Sequence, residues 1–288
     1  MRNIRLDNIS SAVQASLDGA ADARFREVMR GLVAHLHAFA REVHLTHAEW
    51  NAGIEFLAQA GRISDERRSE FMLASDVLGL SSLVDLLNGS QQGTESSVLG
   101  PFYVAGAPLL PVGASLVGNN AGERVLLRGQ VLDSAGRPLP GALLDFWQTN
   151  AEGLYSQMDP TQPAWNLRCR MHADADGRYA LVTVKPRYYS VPYDGPVGDL
   201  LRACQRHALR PAHFHVLVSA PGHRNLVTEI FAEDDPYIDS DAVFGVRSTL
   251  VARFVQHDDA AAAAPYAVEA PFSEVRFDFR LDVDRTAT

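Results

Sequence analysis

The sequence predicts a mainly β protein with an α-helical N-terminal region, and three observations carry that reading. Apolar residues recur every three or four positions up to about residue 88, the texture turns to Gly, Ser, Pro and Ala over residues 89–122, and beyond Arg124 the apolar period is two. Short strands bounded by turn residues, without amphipathic helices between them, make an antiparallel β-sandwich. The boundary is placed near residue 105, giving a helical domain with its linker over 1–105 and a sandwich over 106–288.

Phe25, Val28, Leu32, Leu36, Phe39 and Val43 mark one amphipathic helix. Thr46 to Glu49 reads as a capping box that opens a second, with Trp50, Ile54 and Leu57 on its buried stripe and its end near Gly61. Ser64, with Asp65 and Glu66 in the first turn, starts a third that carries Phe71, Met72, Leu73 and Val77 and stops at Gly79. A short fourth covers residues 81–88. His35, His37, His44 and His47 read as solvated, because neither an acid nor a Cys joins them in a ligand motif.

In the second half, strands are expected over residues 125–132, 143–147, 179–184, 213–219 and 226–231, with a last alternation through Val275, Phe277, Phe279 and Leu281. Residues 199–207 and 246–255 are expected to be helical, and 258–264 to be a surface loop.

The net charge of −9, with Lys and Arg dispersed, excludes nucleic acid and anionic membranes as partners and favours a small molecule or another protein. Cys169 and Cys204 form no C-x-x-C and read as reduced. No apolar run approaches the roughly 20 residues that span a bilayer, which points to a soluble cytoplasmic chain.

The chemistry concentrates in Arg210-Pro211-Ala212-His213-Phe214-His215. On a strand, His213 and His215 share one face, so two imidazoles converge as half of a metal site. Zinc, ferrous iron and no metal at all stay open at this point. Tyr155 after one strand, and Tyr188-Tyr189 after Pro186, offer phenolates, hard donors that favour a hard trivalent ion.

Gly153-Leu154-Tyr155-Ser156, Asn166-Leu167-Arg168, Asp176-Gly177-Arg178-Tyr179, Pro186-Arg187-Tyr188-Tyr189, Asp194-Gly195-Pro196 and the Arg210 to His215 run together resemble the intradiol ring-cleaving dioxygenases, non-haem ferric enzymes. The resemblance implies that Tyr155, Tyr189, His213 and His215 bind Fe(3+), and that Tyr189 leaves the metal as a base when a vicinal diol chelates it. Arg210 matches an arginine that steadies negative charge on the substrate. It further implies O₂ as co-substrate, and a homodimer through the N-terminal helices, often with a phospholipid between them.

The family places residues of the third helix over the substrate ring. The implied pocket is Leu73, Asp76, Leu99, Gly100, Pro101, Phe102, Val191, Pro192, Arg210 and Val243. A buried acid needs a polar answer, and a third ring hydroxyl would answer Asp76. With the Asp239-Ser240-Asp241-Ala242-Val243-Phe244-Gly245 motif and the long N-terminal region, this resembles the hydroxyquinol-cleaving members, whose diol is opened to 3-hydroxy-cis,cis-muconate or maleylacetate. Catechol and chlorocatechol are the alternative substrates. Glu229 falls where many members carry a glutamine near the iron: it either faces the metal, or turns outward or pairs with an arginine. A different class, a carbohydrate-binding sandwich, would make the tyrosines exposed platforms and the His pair structural.

Overall fold

The structure is a computed structural model and describes residues 3–65, 68–90 and 92–284. It divides into two compact units between Gln59 and Ala60, whereas the boundary expected near residue 105 follows the change of texture in the sequence.

The first unit holds α1 (Ile9–Ser16), α2 (Ala23–Glu42) and most of α3 (His47–Ile63). Asp22 caps α2 by accepting from the N–H groups of Arg24 and Phe25, at 2.8 and 3.1 Å. The capping box forms: Glu49 accepts from the Thr46 N–H and hydroxyl at 2.8 Å, and the Thr46 hydroxyl accepts from the Glu49 N–H at 3.3 Å. Trp50, Ile54 and Leu57, expected to be buried, are about half exposed, as are Phe25, Leu32 and Leu36 on α2. Periodicity specifies a face, and within this unit that face stays about half exposed.

The second unit opens with α4 (Glu70–Val77) and α5 (Leu80–Asn88). The helix expected from Ser64 begins later, because Ser69 is its cap and accepts from the Met72 N–H at 3.2 Å. The Ser64 hydroxyl instead closes α3 by donating to the Ala60 carbonyl at 2.7 Å. Glu66, expected in the first turn, lies outside the described residues. Gly79 separates α4 from α5 in the left-handed region, at φ +74°.

The strands are β1 (Ala114–Ser115), β2 (Arg124–Asp133), β3 (Leu143–Gln148), β4 (Arg168–His172), β5 (Arg178–Val184), β6 (Tyr189–Ser190), β7 (Leu209–Arg210), β8 (His213–Ser219), β9 (Leu226–Ala232), β10 (Val251–Ala252), β11 (Val255–His257), β12 (Phe272–Arg276) and β13 (Phe279–Leu281). One helix, α6 (Pro196–Ala203), lies between β6 and β7. One sheet runs β1-β5-β2-β12-β11 with β13 also on β2, the second runs β10-β9-β8-β3-β4, and β6 and β7 form a separate ribbon. The central ladders are antiparallel, as expected, while β1, β10, β12 and β13 join in parallel, so both sheets are mixed. Residues 246–255 are not helical: after one 3-10 turn, Ser248–Leu250, the β-branched Val251 and Val255 enter β10 and β11.

The core lies between the sheets, with Val125 and Leu127 of β2, Leu144 and Phe146 of β3, Tyr179 and Leu181 of β5, and Phe214, Val216 and Val218 of β8. Those alternate residues of β8 leave His213 and His215 on the other face of the second sheet.

Candidate metal centre

Strand register assembles the floor of the site. Across β3, β8 and β9, Trp147 stands opposite His215, and His215 opposite Glu229, while His213 stands opposite Phe231. The Trp147 indole stacks on the His215 ring at 4.7 Å with 7° between planes.

Two further elements bring the tyrosines. The turn after β3 delivers Tyr155, whose hydroxyl lies 3.4 Å from His213 Nε2. Gly153 permits this approach: it has φ +82°, and a Cβ there would lie 2.6 Å from the Tyr188 carbonyl oxygen. On the β6–β7 ribbon Tyr189 pairs with Arg210, and its ring meets those of Tyr155 and His213 at 5.3 and 5.7 Å. Tyr155, Tyr189, His213, His215 and Arg210 are all buried. The exposed tyrosine platforms of a carbohydrate-binding sandwich are therefore not what these two residues form.

His213 Nδ1 lies 2.7 Å from the Pro211 carbonyl, an acceptor, so that nitrogen carries the proton and Nε2 presents a lone pair. His215 Nε2 lies 3.1 Å from it, while His215 Nδ1 is buried without a hydrogen-bond partner. Two lone pairs at that separation repel unless one nitrogen is protonated or both face a cation. Burial holds both imidazoles below their ordinary value, His215 the more strongly, which disfavours the proton. Burial also raises both phenols, Tyr155 furthest, so only a strongly charged ion would draw their protons off near neutral pH. The donor set fits a metal ion. His213, His215 and Glu229 offer ligand atoms that all lie within 4.8 Å of one another.

Glu229 does not turn outward. Its oxygens accept from Arg210 Nη1 and Nη2 at 2.6 and 3.0 Å, and its Oε1 lies 3.3 Å from His213 Nε2. The far side of Arg210 donates to both oxygens of Asp241, each at 3.1 Å. Burial pushes the Glu229 carboxyl up, but the charge and hydrogen bonds of Arg210 and the hydrogen bond from Ser97 outweigh it and hold it below the ordinary range. Asp241 and Ser97, which also bonds Glu229, drew no role from sequence reasoning; the only available signal was their place in apolar or motif-bearing segments.

Arg168, of the Asn166-Leu167-Arg168 motif, enters the site from the start of β4. Its Nε donates to the Ser156 hydroxyl at 3.1 Å, Nη1 to the Phe102 carbonyl at 2.8 Å and Nη2 to Gln157 Oε1. Burial pulls this guanidinium down to about 10, which still leaves it protonated at neutral pH.

Of the expected pocket residues, Phe102 stacks on Tyr155 at 4.5 Å and meets Tyr189 edge-on at 5.9 Å, and a Cβ on Gly100 would touch His215 Cε1 at 3.4 Å. Leu73, Asp76, Val191 and Val243 are buried, Pro192 is half-buried, and Leu99 and Pro101 are exposed. Burial raises the Asp76 carboxyl, while Ser81 and Arg210 oppose the shift.

The chain matches the family profile described as "Dioxygenase" over residues 98–283 and the one described as "Catechol dioxygenase N terminus" over residues 22–95. It is 46% identical to a hydroxyquinol 1,2-dioxygenase of Rhizobium sp. (strain MTP-10005), over 87% of this chain and 86% of that protein. Identity to a hydroxyquinol 1,2-dioxygenase of Nocardioides simplex is 43%, over 96% and 95% of the two chains. Among solved structures, the hydroxyquinol 1,2-dioxygenase of Pseudomonas putida DLL-E4 superposes with a TM-score of 0.90 at 43% identity, covering 97% of this chain and 99% of that one.

Proposed function

The chain belongs to the intradiol ring-cleavage dioxygenases, enzymes that use iron on catechol- or hydroxyquinol-type substrates, and from that premise we propose that its substrate is hydroxyquinol (1,2,4-trihydroxybenzene). The product is 3-hydroxy-cis,cis-muconate, which ketonises to maleylacetate. The observation that carries the substrate is Asp76, a carboxyl buried on α4 and near enough to Arg210, Glu229 and Asp241 to feel their charges. A catechol ring offers that carboxyl nothing beyond its bond from Ser81, whereas the third hydroxyl of hydroxyquinol is a second donor for it.

In this reading Tyr155, Tyr189, His213 and His215 hold Fe(3+). When bound, the ion supplies the Lewis acidity that binds both vicinal oxygens and the redox chemistry that opens the ring to O₂. Tyr189, across the ribbon from Arg210, accepts a substrate phenol proton. Arg210, held on one side by Glu229 and on the other by Asp241, presents a fixed cation where negative charge builds on the ring. Phe102, Leu73, Val191 and Val243 give the ring apolar walls that exclude water.

The reading includes a homodimer through the N-terminal helices with a phospholipid held between them, and the half-exposed stripes of α2 and α3 leave an apolar face on which a second copy could pack. The cytoplasm suits two unpaired cysteines, and among the described residues no helix is long and apolar enough to cross a membrane.

The test is a steady-state comparison of hydroxyquinol, catechol and chlorocatechols on the purified ferric protein, repeated on Asp76→Ala. The expected result is a higher kcat/KM for hydroxyquinol, with a preference over catechol that falls by about 10- to 100-fold in the variant. Equal or better turnover of catechol or a chlorocatechol by the unmodified protein would replace hydroxyquinol as the substrate.

A further inference from the structure

The two buried guanidiniums beside the candidate metal centre are treated differently by the fold. Arg210 is paired with two carboxylates, Glu229 and Asp241. Arg168 is just as buried, yet among the described residues no carboxylate pairs with it, and its three bonds go to neutral oxygens. Asp145 acts on it only at longer range and takes its own hydrogen bond from Tyr103 at 3.3 Å. A buried cation without an anion is costly, and a nearby group that gains from its charge would offset that cost.

The surroundings identify that group. Ser156 and Gln157 are the two residues that follow Tyr155, and Phe102 is the ring stacked on Tyr155. Gln157 also donates to the Phe102 carbonyl, at 2.7 Å. The guanidinium carbon lies 5.9 Å from the centre of the Tyr155 ring. One side chain thus ties the Tyr155 turn to the pocket wall and sets a positive charge beside the phenol.

We propose that Arg168 is a positioning residue: it locks Tyr155 against Phe102 and, because no carboxylate neutralises it, sets the electronic character of Tyr155 as a donor. The proposal rests on the reading of Tyr155 as an iron ligand. It separates the two tyrosines, since Tyr155 faces an unshared cation and Tyr189 a cation already balanced by two acids.

The experiment uses the substrate-free ferric holoprotein and reads the visible tyrosinate-to-iron absorption and the ferric/ferrous midpoint potential, with kcat and KM measured alongside. A cation beside the donor ring holds its electrons more tightly. Arg168→Met is therefore expected to move the band to longer wavelength, and to lower kcat by about 100-fold through misplacement of the Tyr155 turn. Gln157→Glu, at an exposed position, gives Arg168 a carboxylate partner without emptying the core, and is expected to move the band the same way by a smaller amount. Arg168→Lys is expected to restore the band more fully than kcat, because it keeps the charge and loses the planar fork. An unshifted band and potential in Gln157→Glu, together with the same result in Arg168→Met wherever that variant folds, would overturn the proposal. A ferric wild-type protein with no such band would overturn the ligand reading itself, and the proposal with it.

Discussion

Glu229 stands where two roles meet in one residue. Its position among His213, His215 and Arg210 fits a third metal donor, but both oxygens are already engaged at hydrogen-bond distance by one guanidinium, at 2.6 and 3.0 Å. The imidazole nitrogens are further off, at 3.3 and 3.5 Å. A bidentate Arg–carboxylate pair out of water is a strong contact, so Glu229 is the partner of Arg210 whether or not it also faces a metal ion. Gly245 confirms how tightly this cluster is closed, because a Cβ there would lie 2.6 Å from Arg210 Nη2 and 3.0 Å from each carboxylate. Glu229→Gln is expected to keep iron and visible colour while losing about 1–3 kcal/mol of stability, whereas Tyr155→Phe loses colour and iron. Metal analysis and absorption spectra of the two purified variants check this, and iron loss in Glu229→Gln would make Glu229 a ligand. Positions 229 and 210 each stand out in the sequence; that these two are the pair does not, because they lie 19 positions apart in the chain.

Between elements, the joint of α4 with α6 rests on Glu70. The N-cap of α6 is Gly195, which has no side chain to offer the first turn. Glu70, fully buried on α4, fills that role from outside by accepting from the Val197 N–H at 3.0 Å. Its other oxygen accepts from Arg68 Nε and Nη2 at 3.0 and 2.9 Å, and Arg68 also pairs with Asp194 at 2.8 Å. The same contacts explain Gly195, since a Cβ there would lie 2.5 Å from Glu70 Oε1. Because α4 carries Leu73 and Asp76, this joint bears on the proposed pocket. Glu70→Ala is expected to lower the unfolding free energy by about 2 kcal/mol, more than the about 1 kcal/mol for removing the Ser69 cap. Urea denaturation of the two variants measures both, and a smaller loss for Glu70→Ala would show that the joint is not load-sharing.

Across the whole molecule, acid stability should depend on charge clusters that tie strands together. Glu274 on β12 receives Arg128 of β2 and Arg276 of its own strand, each at 2.5 Å, and faces His257 of β11 at 3.2 Å. Burial alone would push its carboxyl up, but the hydrogen bonds from Arg276 and Arg128 outweigh burial and hold it below the ordinary value. A carboxyl depressed in the fold takes up its proton first in the unfolded chain. Its contribution is therefore complete above about pH 4.3 and is lost as pH falls through the folded value. Chemical denaturation from pH 6 down to about 3 is expected to show a shallower loss of stability in Glu274→Gln than in the unmodified protein. Parallel curves would remove Glu274 from the account.

What depends on local periodicity and residue chemistry is legible in the chain before it folds. That covers α2 and the Thr46 capping box, the strands of the sandwich centre, and the shared face of His213 and His215, since each follows from the 3.6- or 2-residue repeat. The spacing of two tyrosines and two histidines likewise pointed to the family that the profiles identify. Which residues meet across long stretches of chain is set by the packing of the elements. Register aligned Trp147, His215 and Glu229, the ribbon set Tyr189 against Arg210, and Ser69 prevailed over Ser64 as the cap of α4. Whether the stripe of Trp50, Ile54 and Leu57 is covered was likewise outside the reach of periodicity. The physical reason is common to all of these: an amphipathic repeat fixes the direction of a side chain relative to its own element, while its partner and its burial depend on which other elements pack there.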